Sequence, residues 1–341
     1  MSRLKSLQYY LLARLLLAPL MLWTIVTIIF LLMRATPGDP VDAIVGSRAT
    51  QAIKDEMRKK LGLDLPLPQQ YGDYLGKLLH FDLGKSITSS GKTVTSIISD
   101  HFPATLELAA GAIFVAFAVG ITIGVISAAK RDTGVEATGR LFGVISYSLP
   151  IFWVGMLLQL IFAVNLNWFP LGGRFPSTGT PPDRILGLYS IDSLLHLNLG
   201  QFFTSMHHLF LPCFTLGILL SGIFERIVRV NLKENLKSEY VEAARARGIP
   251  EQRILLVHAL KNSLIPVITV LGLTTASLLG GAVLTEVTFS WPGLAGRLYE
   301  AIAARDYPTI QGIMVFFATI VVFASIIIDL INAWVDPRIK Y

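Results

Sequence analysis

Cysteine is almost absent from this 341-residue sequence, and charged side chains are scarce. Cys213 is the single cysteine, which excludes an intrachain disulfide and any metal site built from several cysteines. Charged residues make up 15% of the chain, whereas soluble domains average about 25%. This is too little charge for an ordinary water-soluble protein.

Apolar residues take the place of the missing charge. They make up 53% of the sequence, and the mean hydropathy is +0.60. We therefore expect lipid to surround much of the chain. The net charge of +6 does not indicate nucleic-acid binding, because the basic residues border apolar runs and do not form a basic, aromatic-rich domain.

Six apolar segments are long enough to cross a bilayer, which takes about 20 predominantly apolar residues in a helix. The predicted spans are 11–33, 104–129, 141–162, 209–228, 264–287 and 310–334. The first exceeds the roughly 7–15 residues of a signal-peptide core, and no small-residue cleavage pattern follows it, so we expect it to be retained. The sequence thus predicts an all-α integral membrane protein with six transmembrane helices.

Basic residues flanking the spans predict their orientation, because cytoplasmic loops carry an excess of Lys and Arg. Eight basic residues lie between Arg226 and Lys261, against two in each of the short loops on the opposite side. Both termini are therefore predicted to be cytoplasmic. Segment 34–103 holds nine basic residues but is placed outside, because loops of about 70 residues cross largely regardless of charge.

Two hydrophilic segments interrupt the spans. Segment 34–103 opens with ATPGDP and contains an amphipathic stretch at 53–61. Its Pro and Gly breaks predict short helices packed as a small external subdomain. Segment 225–263 is rich in Glu, Lys and Arg, has strong helix propensity, and lies in the cytoplasm in the predicted topology.

The second hydrophilic segment predicts a helix, a tight turn and another short helix. It contains EYVEAARARGIPEQRILLVHALKNSLIP. Residues 239–247 favour a helix, Gly248 fits the left-handed position after it, and Pro250 fits the first position of the next helix.

The surface of the first of these helices favours docking into a cytoplasmic protein. Ala243 and Ala244 give it a small face that another backbone can approach, while Glu242 and the nearby arginines can pair with charges on a partner. The alternative is a solvated, charged helix pair at the membrane surface.

The same stretch carries an E-A-A-x-x-x-G pattern at Glu242, Ala243, Ala244 and Gly248. This pattern resembles the signature of permeases of binding-protein-dependent ABC importers. Six further segments resemble the dipeptide/oligopeptide/nickel permease family, and together they cover nearly the whole chain. In order along the sequence they are ATPGDP, FPATLELA, HALKNSLIPV, FSWPGLAGRL, ARDYPTIQG and DPRIKY. Lys261, where many ABC permeases have proline, narrows the resemblance to the peptide-type subgroup.

The resemblance implies the fold of a type I ABC importer permease. Such a fold has six transmembrane helices, a cytoplasmic coupling helix and a sizeable external loop between the first two helices. The parts it implies are 1–33 for the cytoplasmic N-terminus and first span, 34–103 for the external subdomain, 104–334 for a five-helix core that includes the coupling loop 225–263, and 335–341 for a cytoplasmic tail.

The resemblance also implies the partners. The coupling helix would insert into a groove of a separate ATPase, whose ATP-driven closure turns a pair of permeases from inward-facing to outward-facing. The coupling residues implied are Glu242, Ala243, Ala244, Arg245, Arg247, Gly248, Pro250 and Arg253. Two ATPase subunits would hold ATP and Mg²⁺, so this chain would carry no cofactor, metal or catalytic site.

A second, related permease and an extracytoplasmic solute-binding protein would complete the complex in the inner membrane of a prokaryote. Segments 34–103 and 290–308 would face the binding protein. The cargo would be peptides, although nickel chelates or glutathione-like solutes use the same architecture.

One short stretch resembles a nucleotide site. Residues 86–93, SITSSGKT, end like a phosphate-binding P-loop. The motif needs a glycine where this chain has Ser86, and it needs a preceding strand. The stretch also lies outside the cell in the predicted topology, so we expect no ATP site there.

Small residues and one proline predict how the spans pack. Glycine or alanine recurs at a spacing of four residues, which favours close helix contacts over pore lining. Pro150 predicts a kink in the third span. The small residues are Gly120 with Gly124, and Gly272 with Ala276 and Gly280.

Carboxylates within predicted spans are costly and often functional. The four are Glu107, Glu225, Glu286 and Asp329. Each lies within about two turns of a span end, where snorkelling or an arginine, such as Arg226 for Glu225, stabilises the charge. No carboxylate or histidine marks the predicted bilayer centre, which disfavours a proton relay.

Two other classes of protein are less well supported. An ion-coupled secondary transporter would have repeated halves with broken helices, and coordinating groups at mid-membrane; the sequence shows neither. A membrane enzyme would need a nucleophile with a base or a metal cluster, and the adjacent His207 and His208 lack the spacing of such a site.

Overall fold

The computed structural model describes residues 2–35, 40–46, 48–60, 62–89 and 91–335. Their regular structure is helical, apart from one isolated antiparallel bridge between Lys85 and Thr93. The helices are α1 (Ser2–Ala35), α2 (Pro40–Val45), α3 (Gln51–Lys60), α4 (Leu67–Leu79), α5 (Val94–Ala129), α6 (Gly134–Ser148), α7 (Ile151–Leu158), α8 (Tyr189–Leu195), α9 (Leu199–Asn235), α10 (Glu239–Ala246), α11 (Glu251–Arg253), α12 (Leu260–Ser263), α13 (Ile265–Leu279), α14 (Val283–Thr288), α15 (Leu294–Ala303) and α16 (Tyr307–Val335), with π-helical segments at Gln159–Asn165 and Ile254–Ala259. The all-α prediction is confirmed for these residues, and the predicted tail lies outside them beyond Val335.

Four helices are long and apolar enough to cross a membrane. They are Arg14–Ala35 within α1, the whole of α5 and of α9, and Tyr307–Ile331 within α16. Two bent pairs also qualify, Gly134–Ser148 with Ile151–Asn165, and Glu251–Ser263 with Ile265–Leu279. The count reaches the predicted six if each bent pair is one span.

Helices α5 and α9 run parallel and approach closely through glycine. A Cβ atom at Gly120 would lie 2.5 Å from Cβ of Phe224, and one at Gly124 would lie 2.8 Å from Cβ of Val228. No side chain larger than hydrogen fits at these positions without moving the helices apart. The predicted packing role of this glycine pair is confirmed.

The third span breaks at Pro150. The axes of α6 and of segment Ile151–Asn165 differ by 103°, with Leu149 and Pro150 both extended at ψ values of 135° and 127°. Proline lacks an N–H and disfavours helical geometry in the preceding residue. The predicted kink is thus present as a full break in the helix.

The fifth span also differs from the prediction, which extended it to residue 287. Helix α13 ends at Leu279, and Gly281 follows with a φ of 115°. A Cβ at Gly281 would lie 2.7 Å from Cβ of Ala295. The apolar composition continues past this point, but the backbone turns into the short helix α14. The expectation of one unbroken helix was therefore wrong for the fifth span.

Helix α16 contacts α13 and α1. A Cβ at Gly272 would collide with the side chain of Ile328, which confirms the predicted contact at this glycine, whereas Gly280 caps the end of α13. Across the other interface, Nη2 of Arg14 lies 3.0 Å from Oδ2 of Asp329. The intramembrane Asp329 therefore has an arginine partner on a neighbouring helix.

The first hydrophilic segment forms short helices, as predicted. Helix α4 packs on α1 through Tyr71 and Tyr74, whose rings lie 5.2 and 5.5 Å from that of Phe30. The hydroxyls of Tyr71 and Thr27 are 2.5 Å apart. These contacts attach the segment to one end of the helix bundle, here named the α4 end; the opposite end, which carries α10, is named the α10 end.

Candidate docking site

Helix α10 follows directly from the end of α9. The chain turns at residues 236–238, where the carbonyl of Ser238 accepts a hydrogen bond from the Glu242 amide at 3.2 Å. The Ser238 hydroxyl donates to the carbonyl of Asn235 at 2.5 Å. The short turn fixes the direction in which α10 leaves α9.

The predicted turn after α10 is present. Gly248 has a φ of 74°, its amide donates to the Arg245 carbonyl at 2.9 Å, and the Ile249 amide donates to the Ala244 carbonyl at 3.2 Å. These two bonds form a Schellman motif, which favours glycine at this position. Pro250 lies immediately before α11 and is not its first residue, so that prediction was off by one position.

Apolar contacts hold α10 against the ends of the long helices. Val241 and Ile254 are fully buried, and each such side chain contributes roughly 1.5–3 kcal/mol when removed from water. The cluster consists of Ala128, Leu232, Val241, Ala244, Ile254 and Ala259. Because Ala128 lies in the last turn of α5 and Leu232 lies near the end of α9, α10 is packed directly on both helices.

The two alanines of the signature do not form one small face. Ala244 is 8% exposed and belongs to the apolar cluster, whereas Ala243 is exposed. Successive residues on a helix point about 100° apart, so only one of the two can face a partner. Glu242, Arg247 and Arg253 are exposed beside Ala243.

Arg245 pairs within the chain. Its Nε lies 2.6 Å from Oε1 of Glu251, and this hydrogen bond raises the pKa of Arg245 above its usual value. The contact of Arg245 with a partner protein stays a prediction. Within the chain, the pair connects α10 to α11 across the Gly248 turn.

Glu225 has a different arginine partner from the one predicted. It is fully buried, and its Oε1 lies 2.6 Å from Nε of Arg229, not near Arg226. Residues four apart share a helix face, whereas adjacent residues diverge. Gly143 of α6 leaves room for this carboxylate, since a Cβ there would lie 2.6 Å from its Oε2.

A buried ion pair lies at the α4 end. Nη2 of Arg174 is 2.7 Å from Oε2 of Glu107, and both side chains are 6% exposed. The guanidinium also donates to the carbonyl of Gly187 at 2.6 Å and lies 3.8 Å from the ring centroid of Tyr189. Arg174 therefore compensates the charge that Glu107 carries within α5.

Glu286 joins α14 to α5 at the same end. The Thr105 hydroxyl donates to its carboxylate at 2.7 Å, and the Gly296 amide donates at 2.6 Å. Nearby, the indole N–H of Trp291 donates to the Ala104 carbonyl at 2.8 Å. The chain after the break in the fifth span is thus tied to the start of the second.

The P-loop-like stretch surrounds a carboxylate of this chain. Asp306, fully buried before α16, accepts hydrogen bonds from the hydroxyls of Ser86 and Thr88 at 2.5 and 2.9 Å and from the Ile87 amide at 3.2 Å. Burial alone would raise the pKa of Asp306, but these donors outweigh it and hold that pKa below its usual value. The carboxylate of Asp306 therefore occupies the position in this turn where a P-loop would bind phosphate.

The adjacent histidines of α9 have separate roles. Nε2 of His207 lies 2.7 Å from the carbonyl of Trp168, and Nδ1 of His208 lies 3.2 Å from the carbonyl of Gly173. Both attach the chain between the third and fourth spans to α9.

Two family models match the sequence. Residues 120–341 match the binding-protein-dependent transport system inner membrane component, and residues 7–109 match the N-terminal model of such membrane components. The chain belongs to this family. The resemblance stated from the sequence motifs is therefore confirmed.

Curated relatives of this permease align over nearly their whole length. The probable D,D-dipeptide transport system permease protein DdpB of Escherichia coli K12 is 40% identical over 92% of each chain. The di/tripeptide permease protein DppB of Pseudomonas aeruginosa is 40% identical over 92% of this chain and 93% of its own. The dipeptide permease protein DppB of Alkalihalophilus pseudofirmus is 39% identical over 96% and 97%.

A solved structure shares the fold of this permease. It shows inward-facing conformations of the MetNI methionine ABC transporter and aligns with a TM-score of 0.54, at 16% identity, over 71% of this chain and 97% of its own. This structural likeness supports the predicted type I importer fold. The chain is accordingly a transmembrane permease subunit of an ABC importer, whose ATPase activity resides on partner subunits and whose solute arrives on a binding protein.

Sequence reasoning missed two residues that organise the α4 end of the permease. Arg174 lies far along the chain from Glu107, and Asp306 lies 220 positions from Ser86. The available signal for Arg174 was that a carboxylate within a span requires a cation. The signal for Asp306 was weaker, since a lone Asp near a helix start is also a common cap.

Proposed function

We propose that this permease imports peptides and that α10 is the element that couples it to an ATPase. Relatives at 39–40% identity carry dipeptide or di/tripeptide transport names, which supports a short peptide as cargo. The nickel-chelate and glutathione-like alternatives have no such support among these relatives.

The observation that carries the coupling proposal is the exposed surface of α10 on a firmly packed base. Glu242, Ala243 and Arg247 face away from the chain, while Val241 and Ala244 anchor the helix on α5 and α9. An element that transmits force must be accessible on one side and packed on the other. Gly248, Pro250 and the Arg245–Glu251 pair then set the direction of the following helix.

The proposed complex contains a second, related permease. One chain offers up to six spans and one docking helix, whereas two ATPases require two docking helices, so we propose a pseudo-twofold heterodimer. ATP and Mg²⁺ belong to the two ATPases. The proposed topology has six spans in the inner membrane, both termini in the cytoplasm and segment 34–103 outside, facing the binding protein.

The test is reversal of charge at Glu242. The complex is purified through a tag on this chain, its subunits are identified by mass spectrometry, and uptake of a labelled dipeptide is measured in proteoliposomes with ATP. We expect Glu242→Lys to reduce uptake and binding-protein-stimulated ATP hydrolysis at least tenfold. The lysine would repel the positive charge on the ATPase with which Glu242 is proposed to pair. Glu234→Lys, an exposed change on α9, is the matched control and should retain activity.

Each part of the proposal fails separately. Full activity in Glu242→Lys contradicts the docking assignment. A wild-type complex that transports a nickel chelate but no dipeptide contradicts the cargo. Recovery of this chain as the sole permease contradicts the heterodimer.

A further inference from the structure

A polar cavity lies at the α4 end, between the end of α1, helices α3 and α4, and the start of α16. Its volume is about 760 Å³. Arg34, in the last turn of α1, and Tyr307, the first residue of α16, both line it. Since these residues mark the ends of two candidate membrane spans, the cavity lies at the boundary between lipid and water.

Positive charge predominates in the cavity. Its charged lining consists of four cations, Arg34, Arg58, Lys59 and Lys77, and two carboxylates, Asp73 and Asp82. Asp82 already accepts the Gly84 amide at 2.9 Å, and Arg58 lies 3.5 Å from Asp55, so each is less available to a ligand. The excess of cations favours an anion over a neutral or cationic ligand.

Arg34 is held in place at the wall of the cavity. Its Nε donates to Oε1 of Gln70 at 2.9 Å, and its guanidinium lies 4.7 Å from the ring centroid of Phe30. A guanidinium fixed in this way is pre-organised for the bidentate recognition of phosphate or carboxylate oxygens.

Two further polar groups of the lining are buried without a partner. The hydroxyl oxygen of Tyr74 and Nε2 of Gln311 have no hydrogen-bond partner among the described residues. Burial raises the pKa of Tyr74 to about 12, so its hydroxyl keeps its proton and remains a donor. Buried polar groups are costly unless they are hydrogen-bonded, so the wall of the cavity contains two donors that the described residues leave unsatisfied.

The surface beside the cavity is apolar. Leu31 and Leu32, one turn or less before Arg34, are 54% and 52% exposed, on a helix whose most apolar window is only 17% buried within the chain. A cationic cavity next to an exposed apolar surface matches the charged headgroup and the apolar chains of an anionic phospholipid. We propose that this cavity binds the phosphate of an anionic phospholipid headgroup, with the acyl chains lying along the exposed leucines of α1.

The test compares lipid binding by variants of the full importer complex. Native mass spectrometry counts lipids retained from micelles that contain phosphatidylglycerol or, separately, phosphatidylcholine. We expect wild type to retain phosphatidylglycerol in preference to phosphatidylcholine. Arg34→Gln should weaken this binding about tenfold and Tyr74→Phe several-fold, because each removes a donor to a charged acceptor.

Tyr71→Phe is the matched control, since the Tyr71 hydroxyl already bonds to Thr27 and does not line the cavity. It should bind phosphatidylglycerol as wild type does. Tyr74→Phe removes a hydroxyl that has no hydrogen-bond partner among the described residues, so the folding of this variant should be unaffected. A thermal unfolding midpoint equal to that of wild type in phosphatidylcholine micelles verifies this.

Three results would overturn the proposal. One is equal retention of phosphatidylglycerol by wild type, Arg34→Gln and Tyr74→Phe. Another is equal retention of phosphatidylglycerol and phosphatidylcholine by wild type. The third is displacement of the lipid by millimolar inorganic phosphate, which would assign the site to a soluble anion. None of these readouts depends on transport, so the proposal stands or falls apart from the cargo and the coupling helix.

Discussion

At the scale of single residues, buried carboxylates account for much of how the α4 end is held together. Glu107 is neutralised by Arg174, whereas Glu286 and Asp306 are stabilised by hydroxyl and amide donors. In each case the partner lies on a segment distant in sequence. Removing one member of such a set leaves a buried group unsatisfied, which costs about 1–3 kcal/mol for a neutral group and more for a charge.

Asp306 gives a prediction with a defined pH dependence. Its pKa is held below the usual value in the folded protein, so its stabilising contribution is present above the unfolded-state pKa of about 3.9. That contribution is lost as pH falls through the lower, folded-state pKa. Asp306→Asn should therefore lower the free energy of unfolding by about 1–3 kcal/mol at pH 7, and the difference from wild type should shrink below about pH 4.

Thermal unfolding midpoints of the full chain in detergent, at pH 7 and at pH 3.5, measure this difference. Asp100→Asn is the control, because Asp100 forms an exposed ion pair with Arg184, and such pairs contribute about 0–1 kcal/mol. Equal effects of the two substitutions at pH 7 would contradict the role assigned to Asp306. So would an Asp306→Asn effect of the same size at both pH values.

At the scale of elements, the proposed docking helix α10 and the turn after it depend on one glycine conformation. Gly248 has a φ of 74°, and a Cβ there would meet nothing within 4 Å. A substitution thus acts through backbone strain and not through collision. Gly248→Val should strain the turn by about 1–2 kcal/mol and redirect α11 relative to α10, with loss of coupling but normal membrane insertion.

Gly248→Asn separates strain from side-chain size, because asparagine adopts left-handed geometry more readily than valine. We expect it to retain most dipeptide uptake in proteoliposomes, while Gly248→Val loses most of it at equal protein levels. Wild-type uptake by the valine variant would show that the turn is not required for coupling.

The sequence predicted elements well where the signal is local. Gly248 and Pro250 located the docking turn to within one residue, and the unbroken apolar runs located α5 and α9. The break after α13 was missed because apolar composition continues through Gly280 and Gly281, and hydropathy does not register a change of chain direction. The partners of Glu225 and Arg245 were also missed, since helix geometry and chain reversal determine which charges meet.

At the scale of the whole molecule, both ends of the bundle combine apolar packing with polar contacts. At the α4 end the Arg174–Glu107 pair accompanies an apolar cluster that contains Val94 and Leu294, and at the α10 end an apolar cluster around Val241 and Ile254 holds α10 to the ends of α5 and α9. Because these two helices pack along much of their length, we expect displacement of α10 to be transmitted to both. At the opposite end, hydrogen bonds from Thr105 to Glu286 and from Trp291 to the Ala104 carbonyl join α5 to the chain around α14.

The proposed orientation of the two ends can be tested with the single native cysteine in place. Cys213 is 4% exposed, so wild-type protein should react little with a membrane-impermeant maleimide and provides the background. Lys92 lies just before α5 and Lys237 just after α9, and both are exposed. Since α5 and α9 run parallel, these two positions lie at opposite ends of the bundle. With segment 34–103 outside, Lys92→Cys should be labelled in intact cells, and Lys237→Cys should be labelled only after permeabilisation. The reverse pattern would invert the topology. It would place α10 outside, where no ATPase could reach it.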